Sequence, residues 1–247
     1  MQNPESWHPT KYIYKNGKLI GSRDSTQVGV GSRLIADLIA ESYHRNLSQH
    51  ARGILLDLGC GKAPLYATYR DLVTDSVCVD WENTAHKNEH LDYEVDLTKT
   101  LPFRDEQFDT IILSDVLEHI PVPEHLWMEM ARILRRNGNI ILSVPFYYWL
   151  HEQPHDYYRY TEFALRRFVE ISGLRLVRME VLGGAPEIMA DILSKNVENV
   201  PKFGHALALI VQWIASIFLA TKLGKRVSLA TGGNFPLAYF LIAKKPE

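Results

Sequence analysis

The chain has 247 residues, of which 46% are hydrophobic and 23% are charged, and its formal net charge is −2. This balance is typical of one globular domain with additions, and it excludes the global basic field that favours non-specific nucleic-acid binding. The two cysteines, Cys60 and Cys78, form no Cys-x-x-Cys pair, which disfavours a disulfide framework and favours a reducing, cytoplasmic compartment. No signal-peptide pattern precedes the first apolar run, so we do not expect secretion.

The first part of the chain is predicted to be an N-terminal arm, residues 1–50. Prolines and polar residues dominate it through about residue 25, which is typical of irregular structure. From Val30 to His44, apolar residues recur at helical spacing, which predicts an amphipathic helix.

After Gly53, short apolar runs alternate with helical patterns. This alternation predicts an α/β fold: a doubly wound, mostly parallel seven-stranded sheet with helices on both faces. We expect a single domain over 1–247, with a cofactor-binding core at 53–183, a helical insert at 184–234 and a last strand at 235–247. The predicted strands are "GILLDLG", "SVCVD", "LDYEVD", "FDTIILSD", "NIILSVP", "LRLVRMEVL" and "FPLAYFLIAKK", with helices around 64–72 and in "PEHLWMEMARILRR" and "TEFALRRFVEIS".

Acidic residues stand at or near the ends of the first four predicted strands. In parallel sheets, ligands bind outside those ends. Gly59 and Gly61 in "LLDLGCGKAP" let the backbone turn sharply and approach a ligand closely. Asp80 follows Asp57 at about the spacing at which nucleotide-binding folds place the acid that holds ribose hydroxyls. The four acids are Asp57, Asp80, Asp96 and Asp115.

Two phosphate-binding patterns fit this stretch poorly. A dinucleotide fingerprint requires a third glycine where Pro64 stands, and a P-loop requires Ser or Thr after lysine, where Ala63 follows Lys62. The pattern therefore favours a nucleoside ligand without a phosphate clamp. A nicotinamide-dependent oxidoreductase is a disfavoured alternative.

Four segments in order resemble the class I S-adenosylmethionine-dependent methyltransferases, in the small-molecule group that shares D-x-G-C-G. The segments are "LLDLGCGKA", "VCVDWE", "VDLTKTLPFRDEQFDTIILSDVLEHI" and "ARILRRNGNIILSVP". The resemblance covers residues 54–145 and extends to the strand at 235–244. Ala63 departs from the glycine of many members but is small.

The resemblance implies a role for each matching residue toward S-adenosyl-L-methionine. Asp57, Gly59, Cys60 and Gly61 would surround the methionine portion, although Cys60 also suits a packed small residue. Asp80 would bind the ribose and Trp81 the adenine ring. Asp96 would bind the adenine amino group beside Leu97, and Ser114 and Asp115 would line the floor near the sulfonium. The alternatives are that the acids cap helices or turns and that Trp81 is a core aromatic.

The segment after the fifth strand, "FYYWLHEQPHDYYRYTEF", is the candidate catalytic loop. His155 is the first choice of general base and His151 the second, with Asp156 orienting a histidine. Arg159 is a candidate clamp for an anionic substrate. Tyr157 and His119 are candidate substrate contacts. The alternative is an aromatic lid that excludes water.

A metal site is not predicted. Asp115, Glu118, His119 and His125 are of ligand type, but "LEHI" is common among family members that use no metal.

The apolar run at 206–220 would extend roughly 22 Å as a helix, short of the bilayer core of about 30 Å. One interpretation is extra packing or a homodimer face. The other is a cover for a lipid-like substrate or a peripheral membrane dock, because Lys222, Lys225 and Arg226 follow it.

The sequence thus predicts a methyltransferase that acts on a hydroxyl or amine of a small-molecule acceptor, with glycans and lipid-linked metabolites among the candidates. A cofactor-binding but catalytically silent partner subunit is the second alternative to this function.

Overall fold

The computed structural model describes residues 1–82 and 89–247. It begins with a β-hairpin, β1 Tyr12–Lys15 and β2 Lys18–Gly21, where the sequence predicted irregular structure. Asn16 and Gly17 at its tip have φ of 51° and 74°, the left-handed conformation that a two-residue hairpin turn requires. The prediction was wrong because Asn-Gly is itself a hairpin signal. Helix α1 follows at Arg33–His50, past the predicted end.

The core is a seven-stranded sheet, which confirms the predicted fold class. Its order is β5-β4-β3-β6-β7-β9-β8. All neighbours are parallel except β9, which is antiparallel to both β7 and β8. The strands are β3 Ile54–Leu58, β4 Asp75–Asp80, β5 Tyr93–Glu94, β6 Phe108–Ser114, β7 Leu134–Pro145, β8 Arg175–Leu182 and β9 Ala238–Lys244.

Helices cover both faces of this sheet. Helices α1, α2 (Tyr66–Tyr69) and α5 (Ala185–Glu198) pack on one face, and α3 (Pro123–Ile133) and α4 (Glu162–Ile171) pack on the other. Successive strand residues point to opposite faces, so both sets must be apolar, as the continuous apolar runs indicated. Leu55, Ile112 and Ile141 face the first layer, and Leu56, Ile111 and Leu142 face the second.

Helix α3 is shorter than the sequence pattern predicted. It ends at Ile133, and β7 begins at Leu134, which pairs with Phe108 of β6. Both of these side chains are fully buried. Burial in the sheet therefore outweighs the helical propensity of the Leu-Arg-Arg segment.

The insert before β9 consists of α5, α6 (Gly204–Ala220) and α7 (Lys222–Gly232). Among the described residues no single helix is long and apolar enough to cross a membrane. Helices α6 and α7 meet that criterion only as a pair, which bends by 94° at its junction. Large apolar side chains are exposed on all three helices, among them Met189, Ile192, Ile210, Trp213, Ile214 and Leu229.

Candidate functional site

The glycine turn after β3 is tied to the end of β4. Gly59 and Gly61 have φ of 73° and 52°, which residues with a Cβ rarely adopt. A Cβ on Gly59 would lie 2.7 Å from a methyl of Val116. The Gly61 N–H donates to the Asp80 carboxylate at 3.0 Å, and so does the Trp81 N–H at 2.9 Å. The turn and Asp80 therefore form one unit at the carboxyl edge of the sheet.

Asp57 lies beneath this turn and is only 3% exposed. Its carboxylate accepts a hydrogen bond from the Tyr69 hydroxyl at 3.0 Å. Burial raises the pKa of Asp57 from 3.8 to about 7, because the ionised form loses its hydration. The contact of this carboxylate with the cofactor's methionine portion stays a prediction.

Asp96 forms a turn of its own at the next strand end. Its carboxylate accepts hydrogen bonds from the Thr98 N–H at 3.0 Å and the Thr98 hydroxyl at 2.6 Å. These bonds lower the pKa of Asp96. The turn-forming alternative is thus present in the structure, while the adenine contact remains a prediction. Leu97 beside it is buried.

The N-terminal arm supplies two site residues that the sequence did not indicate. The Lys11 ammonium lies 2.7 Å from the Asp115 carboxylate, which also accepts from the Ser143 hydroxyl at 2.8 Å. The Trp7 indole N–H donates to the Ala63 carbonyl at 3.1 Å, and its ring lies in one buried cluster with Cys60 and Ala63. The arm therefore contacts both the glycine turn and the end of β6. Ser114 lies at that end too, 3.3 Å from Ser143 between their hydroxyl oxygens.

The catalytic loop is folded around Asp156. Its carboxylate receives two bonds from the Arg159 guanidinium, at 2.6 and 2.8 Å, and one from the His151 backbone N–H at 2.9 Å. Burial opposes ionisation, but these bonds outweigh it and lower the pKa of Asp156 to about 2. Arg159 also donates to the carbonyls of Tyr148, Trp149 and Tyr158. Its donors are occupied within the loop, so the structure does not support its assignment as a substrate clamp.

Of the two candidate bases, His151 rather than His155 is beside the orienting carboxylate. His151 Nδ1 lies 3.3 Å from Asp156 Oδ2. Burial, and next the neighbouring His119, lower the pKa of His151, which keeps the imidazole neutral near pH 7. His155 instead packs edge-to-face on Trp81 at 5.1 Å and lies 3.3 Å from the Tyr157 hydroxyl.

The loop docks on a 3-10 helix at Leu117–His119. The backbone N–H groups of Tyr157 and Tyr158 donate to the Glu118 carbonyl, at 2.9 and 3.2 Å. His119 Nδ1 donates to the His155 carbonyl at 2.8 Å. These contacts bring the second half of the loop beside the end of β6.

This docking brings Glu118 together with two histidines. Glu118 Oε1 is 3.8 Å from Nε2 of His119 and 3.8 Å from Nε2 of His151. Glu118 is fully buried. Burial, and next the charge of Asp115, raise the pKa of Glu118 well above its ordinary value. His125, also considered from the sequence, lies on α3 outside this group.

Comparisons with known proteins agree with this geometry. Residues 56–142 match the family model described as "Methyltransferase domain". A phosphatidylethanolamine N-methyltransferase of Cereibacter sphaeroides is 29% identical over 120 residues, which is 42% of this chain and 58% of that protein. An uncharacterised protein of Methanocaldococcus jannaschii is 41% identical over 44 residues, 18% of this chain. The chain covers 22% and 58% of the lengths of these two curated relatives.

Solved structures share the fold at low sequence identity. One is a chain of the complex between the Haloferax volcanii Trm112 methyltransferase activator and a methyltransferase, with a TM-score of 0.59, 16% identity and coverage of 91% of this chain and 95% of that one. Another is a Haemonchus contortus phosphoethanolamine N-methyltransferase bound to phosphomonomethylethanolamine and S-adenosylhomocysteine, with a TM-score of 0.54, 14% identity and coverage of 91% and 58%. Residues 56–142 therefore match a methyltransferase domain, and the chain has the fold of solved methyltransferases.

Proposed function

We propose that the chain transfers a methyl group from S-adenosylmethionine to a hydroxyl or amine of a lipid-linked acceptor at an anionic membrane surface. The observation that carries the transfer is the joining of the glycine turn to Asp80, with the loop of His151 docked beside the same edge of the sheet. The apolar surface of the insert supports the choice of a lipid-linked acceptor.

The residues at the sheet edge fit the cofactor. The cofactor supplies an electrophilic methyl group on a cationic sulfur. The glycine turn leaves room for close backbone approach, and the Asp80 carboxylate suits ribose hydroxyls. The carboxylates at 80 and 96 suit a ligand that is cationic and has no phosphate, whereas Asp115 is already paired with Lys11. Trp81, partly exposed beside Asp80, suits the adenine ring.

The loop supplies the acceptor side. Asp156 lies 3.3 Å from Nδ1 of the His151 ring, and the lowered pKa of His151 leaves a neutral imidazole near pH 7. A methyl acceptor reacts through a lone pair, so positioning beside the methyl group is the main contribution of the protein. The aromatic side chains of the loop exclude water from the place where the acceptor meets the methyl group.

The insert offers an apolar surface that suits lipid. Helices α5 and α6 form an open groove of about 650 Å³, lined almost wholly by apolar side chains that include Met189, Ile214 and Phe218. Trp213 beyond it is 64% exposed. Exposed apolar patches of this kind mark interaction sites.

The charge beside this surface favours an anionic bilayer. Lys222, Lys225 and Arg226 begin α7 next to Leu229, which is 83% exposed. Within the described part of the chain, none of the three cations forms a salt bridge. Cations that flank an exposed apolar helix bind anionic headgroups at about 1 kcal/mol each. The Cereibacter sphaeroides relative, named for phosphatidylethanolamine, agrees with a lipid-related acceptor.

The insert also touches the loop. The Lys195 ammonium of α5 lies 3.5 Å from the centre of the Tyr148 ring and 5.1 Å from that of Trp149. Trp149 and Leu150 are themselves exposed, at 56% and 66%. The insert is therefore in contact with the loop and both expose apolar side chains, so a bilayer on the insert would present its lipids near the acceptor side.

Two experiments test this proposal. With methyl-labelled S-adenosylmethionine, we expect label in the organic phase of a lipid extract; label confined to water-soluble metabolites would refute the lipid acceptor. In vesicle co-sedimentation, we expect binding to vesicles with anionic lipid but not to neutral ones.

Replacement of Lys222, Lys225 and Arg226 by Gln should abolish vesicle binding. The same change at the exposed hairpin residues Lys15 and Lys18 should leave it unchanged. If the chain forms a stable dimer in solution and does not bind vesicles, the apolar surface is instead an interface between two copies.

A further inference from the structure

We propose that Glu118, His119 and His151 bind a divalent transition-metal ion that activates the acceptor hydroxyl for methyl transfer. This deepens the proposed function and rests on it for the transfer step alone. The binding of the ion follows from the three side chains themselves, whose ligand atoms all lie within 4.8 Å of one another.

The first observation is a buried carboxylate without partners. Glu118 is fully buried, and neither of its side-chain oxygens makes a hydrogen bond to the described residues. Burying such a group costs several kcal/mol unless a cation or hydrogen-bond donor compensates. Nε2 of His119 is likewise buried without a hydrogen bond. Both groups face the same point.

The second observation is the spacing. At 3.8 Å, the distance from Glu118 Oε1 to each histidine Nε2 is too long for a hydrogen bond, which needs about 3.2 Å or less. Two ligands at about 2.1 Å from a tetrahedral ion lie roughly 3.4 Å apart. Both distances from Glu118 are therefore within a few tenths of an ångström of that spacing, and all three ligand atoms lie within 4.8 Å of one another.

The third observation is that each ring has an acceptor oxygen beside Nδ1, which leaves Nε2 for coordination. His119 Nδ1 donates to the His155 carbonyl, so the lone pair of the neutral ring is on Nε2. His151 Nδ1 lies 3.3 Å from Asp156 Oδ2, close enough for that carboxylate to orient the ring, although it forms no hydrogen bond to the described residues. Metal-binding histidines are oriented in this way, by a carbonyl or carboxylate at the other nitrogen.

The ligand types indicate the kind of ion. Two imidazoles and one carboxylate suit Zn²⁺, Co²⁺ or Mn²⁺ better than Mg²⁺ or Ca²⁺, which prefer oxygen ligands. Glu152, whose Oε2 is 3.9 Å from His119 Nε2, is close enough to approach as a fourth ligand. An open position would remain for the acceptor.

The ion would act as a Lewis acid. Bound to it, the acceptor hydroxyl gives its proton to solvent. The oxygen forms a bond to the methyl carbon while the methyl–sulfur bond breaks, and that electron pair stays on sulfur, which becomes a neutral thioether. The charge of the sulfonium is thereby lost and one proton is released.

Binding is tested without turnover. After dialysis against a chelator, the purified chain is titrated calorimetrically with ZnCl₂, and Co²⁺ is added separately to record its absorption spectrum. We expect one ion per chain and visible Co²⁺ bands of a low-coordinate site. His151→Ala and Glu118→Gln should each weaken binding by roughly a hundredfold, and Asp156→Asn, which acts through His151, by about 10- to 100-fold.

His205→Ala is the matched control, since His205 is exposed on α6, and it should bind like the wild type. If His151→Ala and His119→Gln both bind Zn²⁺ like the wild type while remaining folded, the proposal is overturned. Titration with S-adenosylhomocysteine separates the two proposals: cofactor binding without metal binding refutes the metal site alone, and metal binding without cofactor binding refutes the proposed function alone.

Discussion

Replacing Asp57 by Asn should stabilise the folded chain at alkaline pH. The carboxyl is buried under the glycine turn, with a pKa of about 7 against an ordinary 3.8. Asn has nearly the same shape, and its amide oxygen accepts the Tyr69 hydroxyl as the carboxylate does. The variant removes the ionisation and leaves the packing in place.

The sign and size of the effect follow from linkage. Between pH 4 and 7 the folded chain holds a proton on Asp57 that the unfolded chain has lost, so the free energy of unfolding falls as pH rises. Since each pKa unit is worth 1.36 kcal/mol, ionised Asp57 costs the folded state on the order of 4 kcal/mol above pH 7. The free energy of unfolding of Asp57→Asn should equal that of the wild type near pH 4 and exceed it by about this amount at pH 8.

Urea unfolding at pH 4, 6 and 8 measures this difference. Asp71→Asn serves as the control, because the Asp71 side chain is 84% exposed and its variant should follow the wild type at every pH. If Asp57→Asn differs from the wild type by the same amount at all three pH values, the reasoning from burial is refuted.

Three further changes test other parts of the structure. Gly59→Ala should destabilise by ~1 to 3 kcal/mol more than Gly173→Ala, because both have positive φ but only the Cβ on Gly59 meets a neighbour; equal urea midpoints would contradict this. Lys195→Met should cost about 3 to 5 kcal/mol by leaving buried Asp191 unpaired, and the added Asp191→Leu should restore most of it in the same assay; a double variant no more stable would contradict the buried pair. Arg159→Lys should speed hydrogen exchange at residues 149–158, since lysine cannot bond both oxygens of the loop carboxylate, and unchanged exchange would show that the loop does not depend on that pair.

The sheet was predictable because its signals are local. Each core strand is buried on both faces and appears as a short apolar run, and the carboxyl ends of parallel strands must share one edge. The hairpin was predictable too, from Asn16-Gly17, but prolines and polar residues around it favoured an irregular arm. The end of α3 could not be predicted from the sequence, because the pairing of Leu134 with Phe108 depends on the assembled sheet.

The cofactor side of the site followed from sequence better than the acceptor side. Asp80 and the glycine turn are defined by strand ends, whereas Lys11 reaches Asp115 across 104 positions. The choice between His151 and His155 depends on how the loop folds back on the Glu118 carbonyl. Spacing along the chain cannot show that contact.

The most direct test of the central claim is calorimetric titration of the purified chain with S-adenosylhomocysteine, alongside Asp80→Ala and the control Asp75→Ala at the far end of the same strand. The account predicts binding by the wild type and Asp75→Ala, with affinity reduced by about tenfold or more in Asp80→Ala, because a charged hydrogen-bond partner is worth roughly 1.5 to 3 kcal/mol. A folded wild-type chain that binds no S-adenosylhomocysteine, or an Asp80→Ala variant that binds it equally well, would contradict the account.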